Sequence, residues 1–328
     1  MPLSLRRGTV TAVLERREAI ARIEVDGEEC IAYPRLTGPV AVGDEVIVNV
    51  QARELELGSG GFDVLYVNLT RGLGLGADAG AHVMTLPYSP LQAAVSFVEE
   101  DGELAEELGG MPVVCCSLHS QVAPVAAGIG EGVRVAYVQL GGGALPVSLS
   151  NSVQELKARG LVDVAVACGP CFDGDAQAVG MASALVWTAA QGCDVAVCAI
   201  GPGIVGTGSK LGHGGLAAAE AANAAGALQG RPVLAVRVSE GDERERHRGV
   251  SHHSRAVLDL ALADVTVAWP SGLEAPDWVA AREEVDVEGW REACGDLTLA
   301  HMGRGPDDDP WFFAAAFAAG KVARGLLG

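Results

Sequence analysis

Aromatic residues make up only 5% of the 328 residues, and lysine appears three times, at Lys157, Lys210 and Lys321. With a formal net charge of -19, such a chain is not expected to bind nucleic acid or a membrane surface, because it repels polyanions unless a local basic patch intervenes. Long apolar runs are also missing. No uncharged stretch reaches the roughly 18 residues that a membrane span needs. The opening "MPLSLRRGTVTAVLERRE" has no apolar run after its arginines, so a secretory signal is not expected. Eight cysteines without an export signal read as reduced thiols in a cytoplasm. No G-x-G-x-x-G follows the first strand of the α/β region, which disfavours hydride transfer, and H-E-x-x-H and paired CxxC spacings are lacking.

What is present is a large apolar fraction, 49% of the chain, enough for a sizeable core, and a length that suggests two domains. Residues 1–75 read as a small β domain, a barrel or curled sheet. "GTVTAVLE", "AIARIEVDG", "EECIAYP", "DEVIVNV" and "DVLYVNL" are short, β-branched and separated by turns such as Asp26-Gly27 and Gly43-Asp44. A glycine-rich linker is expected over 76–89. Over 90–328 the apolar runs "MPVVCCSL", "VRVAYVQL", "VDVAVACG", "CDVAVCAIG", "RPVLAVRVS" and "DVTVAWP" alternate with helical segments near 90–107, 120–129, 150–159, 175–191, 214–228 and 254–263. That rhythm predicts a Rossmann-like α/β domain, a mostly parallel sheet with helices on both faces. A C-terminal helix opens at Asp307–Pro310.

In such sheets ligands bind outside the carboxyl ends of the strands. The segments that follow successive strands are "SLHSQ" with His119, "GGGALP", "CGPCFDGD", the loop "GPGIVGTGSKLGHGG" and "SEGDERERHRGVSHHSR". Four of the seven histidines lie in the last two. "GIVGTGSK" nearly spells the nucleotide-binding P-loop, but Ser209 precedes Lys210. The exchange turns each side chain by about 100° on a first helical turn, so a triphosphatase site is not expected. Two readings remain. Gly201, Gly203, Gly206, Thr207, Gly208, Ser209, Lys210 and His213 form either an anion nest, with glycines at positive φ ahead of a helix, or a tight turn whose glycines permit close packing. In the next loop Arg246 and Arg248 would balance an anion, and His252 or His253 would move a proton, assisted by His119. Because His252 and His253 are adjacent, only one is expected to face a given atom. A divalent metal is a secondary expectation: His213, His247, His252, His253, Asp173, Asp175, Glu240 and Asp242 could converge on one edge, with Asp173, Asp175, Asp242 and His247 as the first candidate ligands. "CGPC", Cys168 to Cys171, matches a redox tetrapeptide, and a thiol oxidoreductase is a further alternative.

Several long segments resemble one bacterial family: "GGALPVSLSNSVQELKARGLVD", "AIGPGIVGTGSKLGHGG", "RERHRGVSHHS" and "MGRGPDDDPWFFAAAFAAGK", with "RRGTVTAVLE", "VLYVNLT" and "YSPLQ". It is the family grouped as domain of unknown function 3866. The resemblance implies no activity. In that family the counterpart of "CGPCFDGDAQAV" usually lacks the cysteine pair and arginine is common in place of Lys210, which weakens redox and lysine-specific mechanisms. The residues themselves point to a hydrolase or group transferase acting on a small phosphorylated or carboxylated ligand. The alternative is a non-catalytic nucleotide or metabolite sensor. Further copies of the chain are an additional partner that the sequence leaves open.

Overall fold

The computed structural model describes residues 2–55, 61–76, 80–81, 83–101, 104–279 and 281–328. The chain divides into two compact units, Met1–Val95 and Ser96–Gly328. Residues 77–79 and 82 of the stretch read as linker lie outside the described residues, and Val83–Thr85 within it is a strand.

The first unit is a closed five-strand barrel, as its turn-separated β pattern implies. Strands β1 (Leu5–Arg16), β2 (Ala21–Val25), β3 (Glu28–Ala32), β4 (Glu45–Asn49) and β5 (Asp63–Asn68) close in the order β1-β2-β3-β5-β4. Only β3 and β5 pair in parallel. Val10, Ile23, Val25, Cys30, Val46, Val48 and Leu65 fill the interior. The short hairpin β6 (Val83–Thr85) and β7 (Ala93–Val95) follows.

The second unit is built on eight parallel strands. They are β8 (Pro112–Cys116), β9 (Val135–Leu140), β10 (Val164–Cys168), β11 (Ala176–Ala178), β12 (Val195–Ile200), β13 (Arg231–Ala235), β16 (Thr266–Pro270) and β17 (Glu283–Val285). The short β14 (Val238–Ser239) and β15 (Gly249–Val250) form a separate antiparallel pair. Sheet order is β11-β10-β9-β12-β8-β13-β16-β17, with every neighbouring pair parallel. The strands are apolar throughout because both faces are covered. On β8, Val114 and Cys116 join one core with residues of the helices Val122–Ile129, Asn151–Ala158 and Pro310–Gly325. Val113 and Cys115 join the other, with residues of Met181–Ala190, Ala217–Ala227 and His252–Leu260. The Rossmann-like expectation holds. The helix read near 175–191 starts later, at Met181, because Ala176–Ala178 adds the edge strand β11.

Strand β9 leads to the helix 151–158 on one face, and its neighbour β12 leads to the helix 217–227 on the other. The carboxyl ends of two adjacent strands whose connections diverge in this way leave a crevice between them. Among the described residues no helix is long and apolar enough to cross a membrane.

Candidate functional site

The loop after β13 folds back on itself. It leaves the sheet at Val236 and Arg237, makes β14, turns through Asp242 and a short helical turn at Glu245–His247, and returns as β15. Ser251 then caps the helix His252–Leu260, its hydroxyl accepting from the His253 amide, as serine does at a helix start. The loop after β12 runs from Gly201 to His213, where an isolated bridge joins His213 to Gly206.

These two loops bring four imidazoles together. His213 stacks on His253 with centroids 3.6 Å apart and planes at 14°. The His252 ring lies 4.5 Å from His253 and 5.5 Å from His213. His247 lies 4.8 Å from His252 and 4.9 Å from His253. The expectation that only one of His252 and His253 would face a common point is therefore corrected. Their side chains start on different bearings, but His213 and His247 approach from other segments and contact both.

Beneath the cluster lies Arg237, 2% exposed. Its guanidinium donates to His253 Nδ1 at 3.1 Å and to Asp242 Oδ2 at 3.3 Å. Asp242 is also held by Arg244, at 2.8 and 2.9 Å, and by Arg304 at 3.5 Å. Hydrogen bonding from Arg244 holds its carboxyl well below the ordinary range. Asp309 accepts from Ser239, the Glu240 amide and Arg304. Burial lowers Arg237 to about 10.

The histidines are neutral. Burial, reinforced by Arg237, pushes His247 down to about 3 and His253 to about 2. Burial likewise lowers His213 and His252. Two tautomers follow from partner chemistry. A guanidinium only donates, so His253 Nδ1 accepts and the proton sits on Nε2. A carbonyl only accepts, so His213 Nε2, 3.1 Å from the Lys210 oxygen, carries the proton and Nδ1 is bare. His213 Nδ1 and His252 Nε2 are buried and make no hydrogen bond. A Cβ on Gly215 would sit 2.9 Å from the Ser117 carbonyl oxygen and 3.1 Å from His213 Nδ1, so glycine permits the close packing here.

The glycine loop is not arranged as the P-loop-like segment suggests. Of Gly201, Gly203, Gly206 and Gly208, only Gly203 has a positive φ, 72°. The helix expected to open directly behind the loop begins at Ala217, after a helical turn at Gly214–Leu216. The amides of Val205, Thr207 and Ser209 are bonded to Gly142 O, Gly212 O and Thr207 Oγ1. Thr207 Oγ1 also contacts Ser209 Oγ at 2.9 Å, and Lys210 pairs with Asp259 at 2.7 Å. The glycines allow close approach instead. A Cβ on Gly201 would stand 2.0 Å from Ala144 O, and one on Gly214 2.0 Å from Gly142 O, so the loops after β9 and β12 lie backbone against backbone.

His119 is placed apart from the imidazole cluster. Its Nε2 meets Ser150 Oγ at 2.7 Å, and Nδ1 lies 3.3 Å from both the Ile200 carbonyl and the Tyr137 hydroxyl. The Ile200 carbonyl only accepts, so His119 Nδ1 carries the proton and Nε2 accepts from the Ser150 hydroxyl. Burial lowers this imidazole to about 4. Arg246 and Arg248 are exposed and, among the described residues, make no ion pair.

Of the expected metal ligands, the carboxylates do not assemble among the described residues, whereas three of the histidines do. Asp175 takes Lys157 and the Ala165 amide, Asp242 is filled by arginines, and Asp173 stays on the loop after β10. Among the described residues the ligand-type groups that converge are His213, His252 and His253, within 4.8 Å of one another. They fit a cation poorly. His253 Nε2 keeps its proton while Arg237 occupies Nδ1, and the near-parallel stack stops His213 and His253 from aiming lone pairs at one point. Arg237, Arg244 and Arg246 all add positive potential at His252. Cys168 and Cys171 are buried and free, raised to about 12 by burial, the reverse of the lowered pKa that thiol redox chemistry requires.

Sequence reasoning missed Arg237, His301 and Arg304. His301 stacks on Phe312 at 3.8 Å, meets Ser120 Oγ at 3.1 Å, and has a buried Nε2 without a partner. A signal for Arg237 was available: in "RPVLAVRVS" it follows five uncharged residues after Arg231 and stands inside the apolar run.

Comparison with curated proteins gives no match. The family model described as "Protein of unknown function (DUF3866)" matches residues 29–320, and the chain accordingly belongs to that family.

Proposed function

We propose that this protein is an enzyme, a hydrolase or group transferase, acting on a small phosphorylated or carboxylated ligand at the histidine–arginine corner. The observation that carries this reading is the pair of buried, unpartnered nitrogens, His213 Nδ1 and His252 Nε2, beside a buried guanidinium. Buried polar atoms without partners are rare; the bare His213 Nδ1 offers its lone pair to a ligand hydroxyl or an attacking water, while the anion belongs on the electropositive side of the corner, where Arg237, Arg244 and Arg246 act on His252. Arg246 and Arg248 bring two exposed guanidinium groups that make no ion pair among the described residues, and guanidinium is the preferred partner of carboxylate and phosphate oxygens. His213 Nδ1 is a bare base and His252 a second neutral imidazole, the pair needed to take a proton and return it. The glycine loop's part is to deliver His213 rather than to cradle the anion itself.

The test is calorimetric titration with inorganic phosphate, phosphomonoesters and dicarboxylates, followed by prolonged incubation with whichever binds. Replacing Arg246 and Arg248 together by alanine should weaken binding by about ten- to a hundredfold for each charge-assisted hydrogen bond removed. His252→Gln should retain binding and stop turnover. A bound ligand that survives incubation unchanged would make the protein a sensor. Absence of binding at millimolar concentration would remove the reading.

A further inference from the structure

A second feature adjoins the corner without belonging to it. A cavity of 520 Å³ opens at the carboxyl ends of β9 and β10, between the first turns of the helices 181–190 and 217–227. Leu140, Pro170, Met181 and Leu216 supply apolar walls, and His213 lines it as well. His213 therefore has one face on the cavity's side of the crevice and its ring stacked on His253 in the corner. Gly180 lines the same space with no atom within 4 Å of where its Cβ would be, and Glu220 stands exposed on the first turn of the helix 217–227.

We infer that this cavity receives the uncharged body of the ligand whose anionic group sits at the histidine–arginine corner. This rests on the reading above and narrows it. The ligand is then an organic anion with a compact apolar or aromatic body, not a free inorganic ion. The volume falls in the range of small-molecule sites, which pair mostly apolar walls with a few placed polar groups. The charge distribution sets the orientation: arginines lie beyond His213, while Glu220 is the acidic group lining the cavity. The carboxylate repels a second anionic group and accepts from an amino or hydroxyl group on the ligand's far end. A one-headed anion with a neutral or donor-bearing body satisfies both ends.

The test compares phenyl phosphate with inorganic phosphate by calorimetry on the full chain. The ring should add about ten- to a hundredfold in affinity, as burial of an aromatic group does. Gly180 has φ of -154°, open to any residue, so Gly180→Leu fills the cavity without backbone strain. It should cut phenyl phosphate affinity by about tenfold or more and leave inorganic phosphate within about twofold. Ala217→Leu, from the opposite wall, should do the same and guards against a local effect on the helix that Gly180 caps. Circular dichroism checks that both variants fold. Inorganic phosphate binding as tightly as phenyl phosphate, or both variants keeping the preference for the ester, would overturn the cavity assignment while leaving the anion site standing. If neither anion bound, both readings would fall.

Discussion

His119 follows β8 and His213 follows β12, neighbouring strands of one sheet, yet the two imidazoles are held in opposite ways. His119 has its hydrogen-bonding nitrogens occupied, by Ser150 on one side and by Ile200 and Tyr137 on the other. His213 has one nitrogen tied to a backbone carbonyl and the other bare. Both are kept neutral by burial, so burial does not separate a structural histidine from a chemical one. Satisfaction does. His119 joins β12 to the start of a helix, whereas His213 sits beside a buried arginine with valence to spare. The two sides of His213 differ in the same sense. Around Gly201 and Gly214 the contacts are backbone on backbone, and around Arg237 they are buried charges.

The contrast breaks most sharply at Asp242. Asp242→Ala leaves Arg237 buried without its carboxylate, and such half-removed pairs cost about 3–5 kcal/mol. Urea denaturation should register that cost. Lys157→Ala, which removes one side of a half-exposed ion pair and leaves the Ala165 amide its carboxylate, should cost under about 1 kcal/mol. Equal costs would show that the arginine network is no more buried in effect than the surface.

Acid sharpens it next. The folded-state values of His119, His301, His247 and His253 are depressed to about 4, 3, 3 and 2. The unfolded chain therefore binds protons first. The stability these groups contribute is fully present above about pH 6.5 and is lost as pH falls toward the folded values. Each such histidine should steepen the acid limb by about 1.4 kcal/mol per pH unit. His119→Gln should remove one proton's worth of that slope and leave the rest, as read from denaturation midpoints between about pH 6 and 5. A slope unchanged by the substitution would mean that His119 is protonated in the fold.

The smallest effect belongs to Lys210. Its pair with Asp259 is exposed on both sides, 59% and 44%, and Lys210→Ala should shift stability by under about 1 kcal/mol and leave phosphate affinity unaltered. A marked drop in phosphate affinity in the same titrations would return the anion to the glycine loop and reverse the comparison.

The barrel and the parallel sheet were legible because their signals are local. Strand length, β-branched content and the alternation of apolar runs with helical segments are written over a few residues at a time, and they led to the correct architecture. The carboxyl edge was likewise legible as the place where "GPGIVGTGSKLGHGG" and "DERERHRGVSHHSR" must emerge. That His213, His247, His252 and His253 could converge there was legible too; how closely their rings pack was not, because it depends on sheet order. β12 and β13 flank β8, and nothing in the local pattern states which strands become neighbours. Glycine misled for a related reason. A glycine that frees φ and one that admits another backbone look alike in sequence, and only the loop across the crevice, with Gly142 and Ala144 in place, decides between them. Chain-local propensity thus set the elements, while the unpaired nitrogens and the buried arginine beside them exist only once long-range packing has chosen which groups find partners.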